Sequence, residues 1–151
     1  MMPYLVDTNI LLLYIRQDTR VAAIDALYDP LAASATSIIS VVTEGEIRSI
    51  ALQRDWGTPK MAALKTMLKK FLIADIHVKE IIEAYAEIDA FSQGKLKTKS
   101  LGMTARSMGK NDLWIAATAF VLNLPLLTTD KDFQHLDGIY LDLKFVDLAA
   151  I

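Results

Sequence analysis

The feature that most constrains this chain is a short apolar run of strand-forming residues that ends on a helix-capping side chain and passes at once into helix. At the amino end Tyr4-Leu5-Val6 runs into Asp7-Thr8-Asn9 and then into a second apolar stretch. That order reads as buried strand, turn and helix start, because Asp, Thr and Asn all favour the cap position. The pattern returns where the β-branched residues of 35–39 lead through Ser40 into a helix over 41–54. It returns again where Leu126-Leu127-Thr128 leads into Asp130. Strands that alternate with helices imply right-handed crossovers, and so a mostly parallel sheet with helices on both faces.

The remaining elements follow from periodicity and breakers. Helices are expected over 10–16 and 21–28, the second ended near Pro30. Trp56-Gly57-Thr58-Pro59 stops the helix over 41–54 and opens another, in which Met61, Leu64, Leu68 and Phe71 form a stripe. Leu72-Ile73-Ala74 reads as a short strand, and 78–91 as a helix with Ile81, Ile82, Tyr85 and Ile88 turned inward. Residues 92–111 carry three glycines, no acid and little periodicity, and read as a loop or loosely helical excursion of unusual length. An almost wholly apolar helix follows over 112–122, then the strand 126–128 and a turn or helix at 130–135. Ile139-Tyr140-Leu141 is the last candidate strand.

With 151 residues, 53% of them hydrophobic and 23% charged, the chain has the size and balance of one globular domain over 1–151. A net charge of −2 does not mark a strongly basic nucleic-acid binder, so any RNA contact must come from local charge. Cysteine is absent, which excludes disulfides and thiolate metal sites and leaves oxygen ligands or one of two histidines for any metal. His77 and His135 are read as structural or exposed. Asp7 interrupts the first apolar run, unlike a signal-peptide core. The uncharged stretch 113–129 is broken by Asn123 and Pro125, short of the roughly 20 apolar residues a membrane span needs. A soluble protein without a membrane partner is expected, and a reducing cytoplasm is compatible.

Several acids stand where burial should exclude them, and a charge on an apolar face is costly without compensation. Glu46 shares a helix face with Val42 and Ile50 and lies beside Ile47, whereas Glu44 points about 160° away and toward solvent. Asp112 opens the apolar helix, Asp130 follows its strand as Asp7 follows the first, and Asp132 is a turn residue or a peripheral ligand. Each has an ordinary reading as well: Asp7 and Asp112 as helix caps, Glu46 as a capping-box partner for Thr43. Were Asp7, Glu46, Asp112 and Asp130 to converge, charges about 4 Å apart would repel by about 4 kcal/mol per pair at an effective dielectric near 20. A hard divalent cation is the counter-charge such a set requires, and metal-assisted phosphodiester cleavage is the chemistry it serves.

The same residues resemble the PIN-domain ribonucleases, particularly the VapC-type toxins of toxin–antitoxin pairs. Val6-Asp7-Thr8-Asn9 looks like the family's first acid motif, and Ile39 through Ile47, with Glu46 at the catalytic glutamate, looks like its second. Asn111-Asp112 followed by Trp114-Ile115-Ala116-Ala117 resembles the third, and Leu127 through Phe133 the fourth. The resemblance implies a three-layer α/β/α sandwich with a five-stranded parallel sheet, and cleavage of single-stranded RNA by water with Mg²⁺ or Mn²⁺. It also implies a homodimer and a small antitoxin protein as partner. By position, Asp7, Glu46, Asp112 and Asp130 become the catalytic and metal-binding acids, Asp132 a further possible ligand, and Thr8, Asn9 and Asn111 supporting residues. The chain departs from the family in the length of 92–111.

That segment carries Lys95, Lys97, Lys99, Arg106 and Lys110, and the helix after Pro59 carries Lys60, Lys65, Lys69 and Lys70. Together the two windows are enough for a phosphate-binding surface; the first is the expected RNA-binding segment, and for the second a merely solvated face fits equally well. Met61, Leu64, Met67 and Leu68 are either core or part of an antitoxin or dimer groove. Two other functions fit less of the chain. A PIN-like binding module without catalysis would not need the full set of acids. A haloacid-dehalogenase-like phosphatase expects an aspartate two positions after Asp7, where Asn9 stands.

Overall fold

The computed structural model describes residues 2–151. Its chain order is β1 (Leu5–Val6), α1 (Thr8–Ile15), α2 (Val21–Leu27), β2 (Ile38–Ser40), α3 (Val41–Gln53), α4 (Thr58–Leu68), β3 (Leu72–Ala74), α5 (Lys79–Ser92), α6 (Lys110–Leu122), β4 (Leu126–Thr128) and β5 (Leu143–Phe145). Short 3₁₀ turns occupy Lys131–Leu136 and Leu148–Ala150.

The five strands form one parallel sheet in the order β3-β2-β1-β4-β5. Successive residues of a strand face opposite sides of a sheet, and the core divides accordingly. Leu5 and Leu126 pack with α5 and α6 on one face, while Val6 and Leu127, their immediate neighbours, pack with α1, α3 and α4 on the other. Both faces of β1 and β4 are therefore apolar and fully buried, as a parallel sheet between two helical layers requires. This is the three-layer α/β/α sandwich expected from the sequence. Truncating Leu127→Ala, at the centre of one layer, is expected to cost about 2–5 kcal/mol of stability in a urea unfolding experiment.

The strand order reverses between β1 and β4: the chain moves from β1 toward β2 and β3, then returns to lay β4 and β5 on the other side. In open α/β sheets the crevice at the carboxyl ends of strands flanking such a reversal is where ligands bind. Asp7 directly follows β1, and Thr128, Thr129 and Asp130 end or follow β4. Caps place these residues. Asp7 caps α1 by accepting from Thr8 N–H, and Ser40 Oγ accepts from Val42 N–H to start α3. Asn123, in the left-handed region at φ 53°, closes α6 and turns the chain into β4.

Two expectations are corrected. Ile139-Tyr140-Leu141 is not a strand: after Gly138, at φ 77°, all three amides turn back to the Leu136 carbonyl, at 3.1, 3.0 and 3.1 Å. The fifth strand is Leu143–Phe145, paired with Leu126–Thr128. Ile82 is 45% exposed; the buried face of α5 runs through Ile81, Ala84, Ile88 and Phe91, which leaves Ile82 one step around the helix. Tyr85 is part-buried and packs on Trp114, with ring centroids 4.2 Å apart.

Of the excursion 92–111, Ser92 ends α5 and Lys110 and Asn111 begin α6, leaving 93–109 without helix or strand. The segment is nonetheless pinned. Leu101 and Met108 are buried in the core beside α5 and α6, and Arg106 N–H bonds the Ser92 carbonyl at 2.7 Å.

Candidate metal centre

Asp7 is 3% exposed, and both of its oxygens are engaged: Oδ1 accepts from Thr8 N–H and Oδ2 from Thr128 Oγ1–H, each at 2.7 Å. The Thr128 oxygen in turn accepts Asp130 N–H at 3.0 Å, and Asp130 Oδ1 accepts Asp132 N–H at 2.8 Å. One hydrogen-bonded line thus runs from the end of β1 through the end of β4 into the following 3₁₀ turn. On the α3 side Thr8 Oγ1 lies 2.8 Å from Glu46 Oε1 and 3.1 Å from Thr43 Oγ1. Glu46 is therefore tied to Thr8, and the start of α3 is capped by Ser40 rather than by a Thr43–Glu46 box. Glu44 turns outward to Arg48 at 2.7 Å, as the helical wheel predicts.

Asp112, in the first turn of α6, reaches the cluster from the opposite face. Its carboxylate and those of Asp130 and Asp132 each offer an oxygen within 4.8 Å of the others. The electrostatics tie this trio to Asp7 and Glu46. Burial pushes the Asp112 carboxyl up to about 7, with Asp7, Asp130, Glu46 and Asp132 adding their negative charges. Burial likewise raises Asp7 to about 6, opposed by its bonds to Thr128 and Thr8 and reinforced by Glu46 and Asp130. Among the described residues no ion pair involves any of these five acids. Carboxylate oxygens without nitrogen or sulfur are the donor set of a hard divalent cation, and the burial and mutual repulsion that raise two of these carboxyls are what such an ion would offset. The residues present fit such an ion.

The supporting residues divide. Thr8 is buried within the cluster, Asn9 is exposed, and Asn111 lines a cleft of about 510 Å³ with Val42, Gly45, Glu46, Ser49, Ile50 and Gln53. Lys95, Lys97, Lys99, Arg106 and Lys110 are all exposed. Lys99 Nζ lies 4.3 Å from the Tyr140 ring centroid, and Arg106 shares a cleft of about 270 Å³ with Ser107, Met108 and Asp132. The stripe on α4 splits: Leu64 and Leu68 are core, while Met61 is 39% exposed.

Sequence reasoning missed Thr128 and Thr43. A threonine that ends a strand reads as a strand former, but its position just ahead of Asp130, in the element matching the one ahead of Asp7, was an available signal. His135 was expected to be structural or exposed; it is buried, and burial together with the Arg106 charge holds its imidazole below its ordinary pKa, against the Asp132 backbone.

The family model of the PIN domain matches residues 4–139. The chain belongs to the PIN domain family. The match takes in all five acids. No curated protein matches the chain significantly in sequence. Among solved structures, this PIN domain is similar to a chain of VapBC2 from Rickettsia felis, bound to a DNA fragment from their promoter. The TM-score is 0.71 at 23% identity, covering 97% of this chain and 100% of that one. It is also similar to a chain of FitAcB from Neisseria gonorrhoeae (TM-score 0.65, 22% identity, 95% and 96% covered). A third is a chain of VapBC-1 from nontypeable Haemophilus influenzae (0.64, 21%, 95% and 98%). At these identities the likeness is one of fold. Among the described residues no helix is long and apolar enough to cross a membrane.

Proposed function

We propose that this PIN domain is a Mg²⁺- or Mn²⁺-dependent endoribonuclease that acts as the toxin of a toxin–antitoxin pair in the cytoplasm. The observation that carries the reading is the convergence of the Asp112, Asp130 and Asp132 carboxylates, with oxygens within 4.8 Å of one another at the mouth of the sheet's reversal point, where burial and the charges of the other acids raise the Asp112 carboxyl. Asp7, Glu46, Asp112 and Asp130 are the acids assigned to the metal; Asp132 joins Asp112 and Asp130 in that close trio, and Asp7 and Glu46 add their charges beside it. The ion, when bound, supplies a water of lowered pKa and a positive charge for the phosphate oxygens. The protein's own part is to hold geometry. Thr128 and the Thr8 amide fix the Asp7 carboxylate, and the Thr8 hydroxyl fixes Glu46 at 2.8 Å. The cleft beside Glu46, with Asn111 on its wall, gives a single RNA strand an approach to the acids.

Two further similar structures are described as a toxin-antitoxin complex from Klebsiella pneumoniae and as a member of the VapBC family of toxin-antitoxin systems from Mycobacterium tuberculosis, and they support an antitoxin as partner of this chain; a homodimer is the expected working unit. The phosphatase reading loses ground because Asn9, at the position where a second aspartate belongs, is exposed. The test is cleavage of single-stranded RNA with Mg²⁺ or Mn²⁺, wild type against Asp7→Asn and Glu46→Gln. No cleavage by wild type favours the binding-module reading, and cleavage that ignores metal or both substitutions rejects the mechanism.

RNA is expected to lie along Lys95, Lys97 and Lys99. Neutralising all three to Gln is expected to weaken binding and lower the slope of log K against log salt by about 2, at roughly 0.7 per phosphate contact on a single strand. A slope equal to wild type in a filter-binding series removes these lysines from the interface.

A further inference from the structure

A second buried polar contact joins distant segments near the acids: Ser92 Oγ and His135 Nε2 lie 2.7 Å apart, 43 positions apart in the chain, with both residues buried. Ser92 is the last residue of α5, and three links leave it. Its hydroxyl meets His135, the same oxygen lies 3.4 Å from Met108 Sδ, and its carbonyl accepts Arg106 N–H at 2.7 Å. Residues 106–108 are thereby held, and Gly109 then caps α6, whose first turn carries Asp112. On the other side His135 belongs to the 3₁₀ turn that Asp130 caps. At three residues per turn it eclipses Asp132. The contact thus joins the segment leading into Asp112 to the segment leading out of Asp132.

Those are the segments that bring three carboxylates within 4.8 Å of one another. Like charges so placed drive their backbones apart unless the backbones are tied. An apolar pair would fill the same space without fixing direction. The Ser92 hydroxyl and His135 Nε2 hydrogen-bond whichever of the two donates, which fixes both distance and angle.

We propose that the Ser92–His135 hydrogen bond is a latch that holds the Asp112 segment against the Asp130–Asp132 turn, spacing the three carboxylates for one divalent cation. The proposal rests on the metal-dependent reading above. Ser92 and His135 are positioning residues, acting through the backbone that carries the acids.

The test uses the full chain, titrated calorimetrically with Mn²⁺ alone near neutral pH. Ser92→Ala and His135→Leu are expected to bind Mn²⁺ about tenfold more weakly than wild type, the scale on which loss of an orienting partner acts. His135→Gln, whose amide can stand in place of Nε2, is expected to restore binding to within about twofold of wild type. Leu64→Ala, in the other core cluster, controls for lost stability: its melting temperature falls while its Mn²⁺ affinity stays within about twofold. Wild-type affinity in Ser92→Ala overturns the latch and leaves the metal centre standing; a wild type that binds no Mn²⁺ overturns both. Weakening in Leu64→Ala equal to that in Ser92→Ala also overturns the latch. If His135→Leu does not fold, Ser92→Ala, which removes one oxygen, and His135→Gln decide the matter.

Discussion

Asp7→Asn is expected to lower RNA cleavage by on the order of a hundredfold to a thousandfold, the range for loss of one electrostatic stabiliser of a transition state. The same substitution is expected to make the metal-free protein more stable at neutral pH. The two effects have one cause. Burial raises the Asp7 carboxyl from 3.8 to about 6. A carboxyl whose folded pKa is raised favours the folded state below about 4, and that advantage disappears as pH rises through about 6. Above both values the ionised form therefore weighs against folding, by about 3 kcal/mol for a shift of roughly two units at about 1.4 kcal/mol per unit. Asparagine keeps its Oδ1 as the acceptor for Thr8 N–H and presents its amide NH2 to Thr128 Oγ1, a hydroxyl that can accept as well as donate, and it carries no charge. Chemical unfolding of both proteins at pH 5 and pH 8 in EDTA checks this. The variant should gain most at pH 8. A variant less stable than wild type at both pH values would show that Asp7 is paid for by its hydrogen bonds alone.

Much of this site was legible in the residue order, for a physical reason. In a parallel sheet the loops at the carboxyl ends of the strands share one edge, so acids that follow apolar runs, Asp7 and Asp130, are brought together by topology. Glu46 was legible from its helix face, and Asp112 from the absence of any other polar function in the turns behind it. The illegible parts depend on side chains meeting across long separations. Thr128 bonds Asp7 over 121 positions, and Ser92 meets His135 over 43, with no local pattern to announce either. The last strand was misplaced because Ile139-Tyr140-Leu141 is the better strand former, whereas Leu143-Lys144-Phe145 is part-exposed at the sheet edge. There pairing with β4 outweighs intrinsic preference.

Mn²⁺ is expected to stabilise the protein strongly at pH 8 and hardly at pH 5. Asp7 and Asp112 are held at about 6 and about 7, so at pH 5 both carry protons that the ion must displace. Each displaced proton steepens the dependence of metal affinity on pH, by up to about tenfold per pH unit below the relevant pKa. The metal-free protein has the opposite trend. Its stability falls as pH rises from about 4 to about 7, as these two carboxyls ionise against Glu46, Asp130 and Asp132. Asp112 is part-exposed, so its share of that fall is smaller than its shift alone suggests. At a free concentration a hundred times its dissociation constant the ion adds about 2.7 kcal/mol. For a chain of this length that is a rise of about 5–10 °C in melting temperature. Melting curves at pH 5 and pH 8, each with EDTA and with excess Mn²⁺, give four values, and only a metal site built from proton-loaded carboxyls makes the Mn²⁺ effect grow with pH while the EDTA curve declines. An equal Mn²⁺ shift at both pH values would place the ion elsewhere on the protein. No shift at either would mean that the protein tolerates its five clustered acids through protonation and hydrogen bonds, with no ion to balance them.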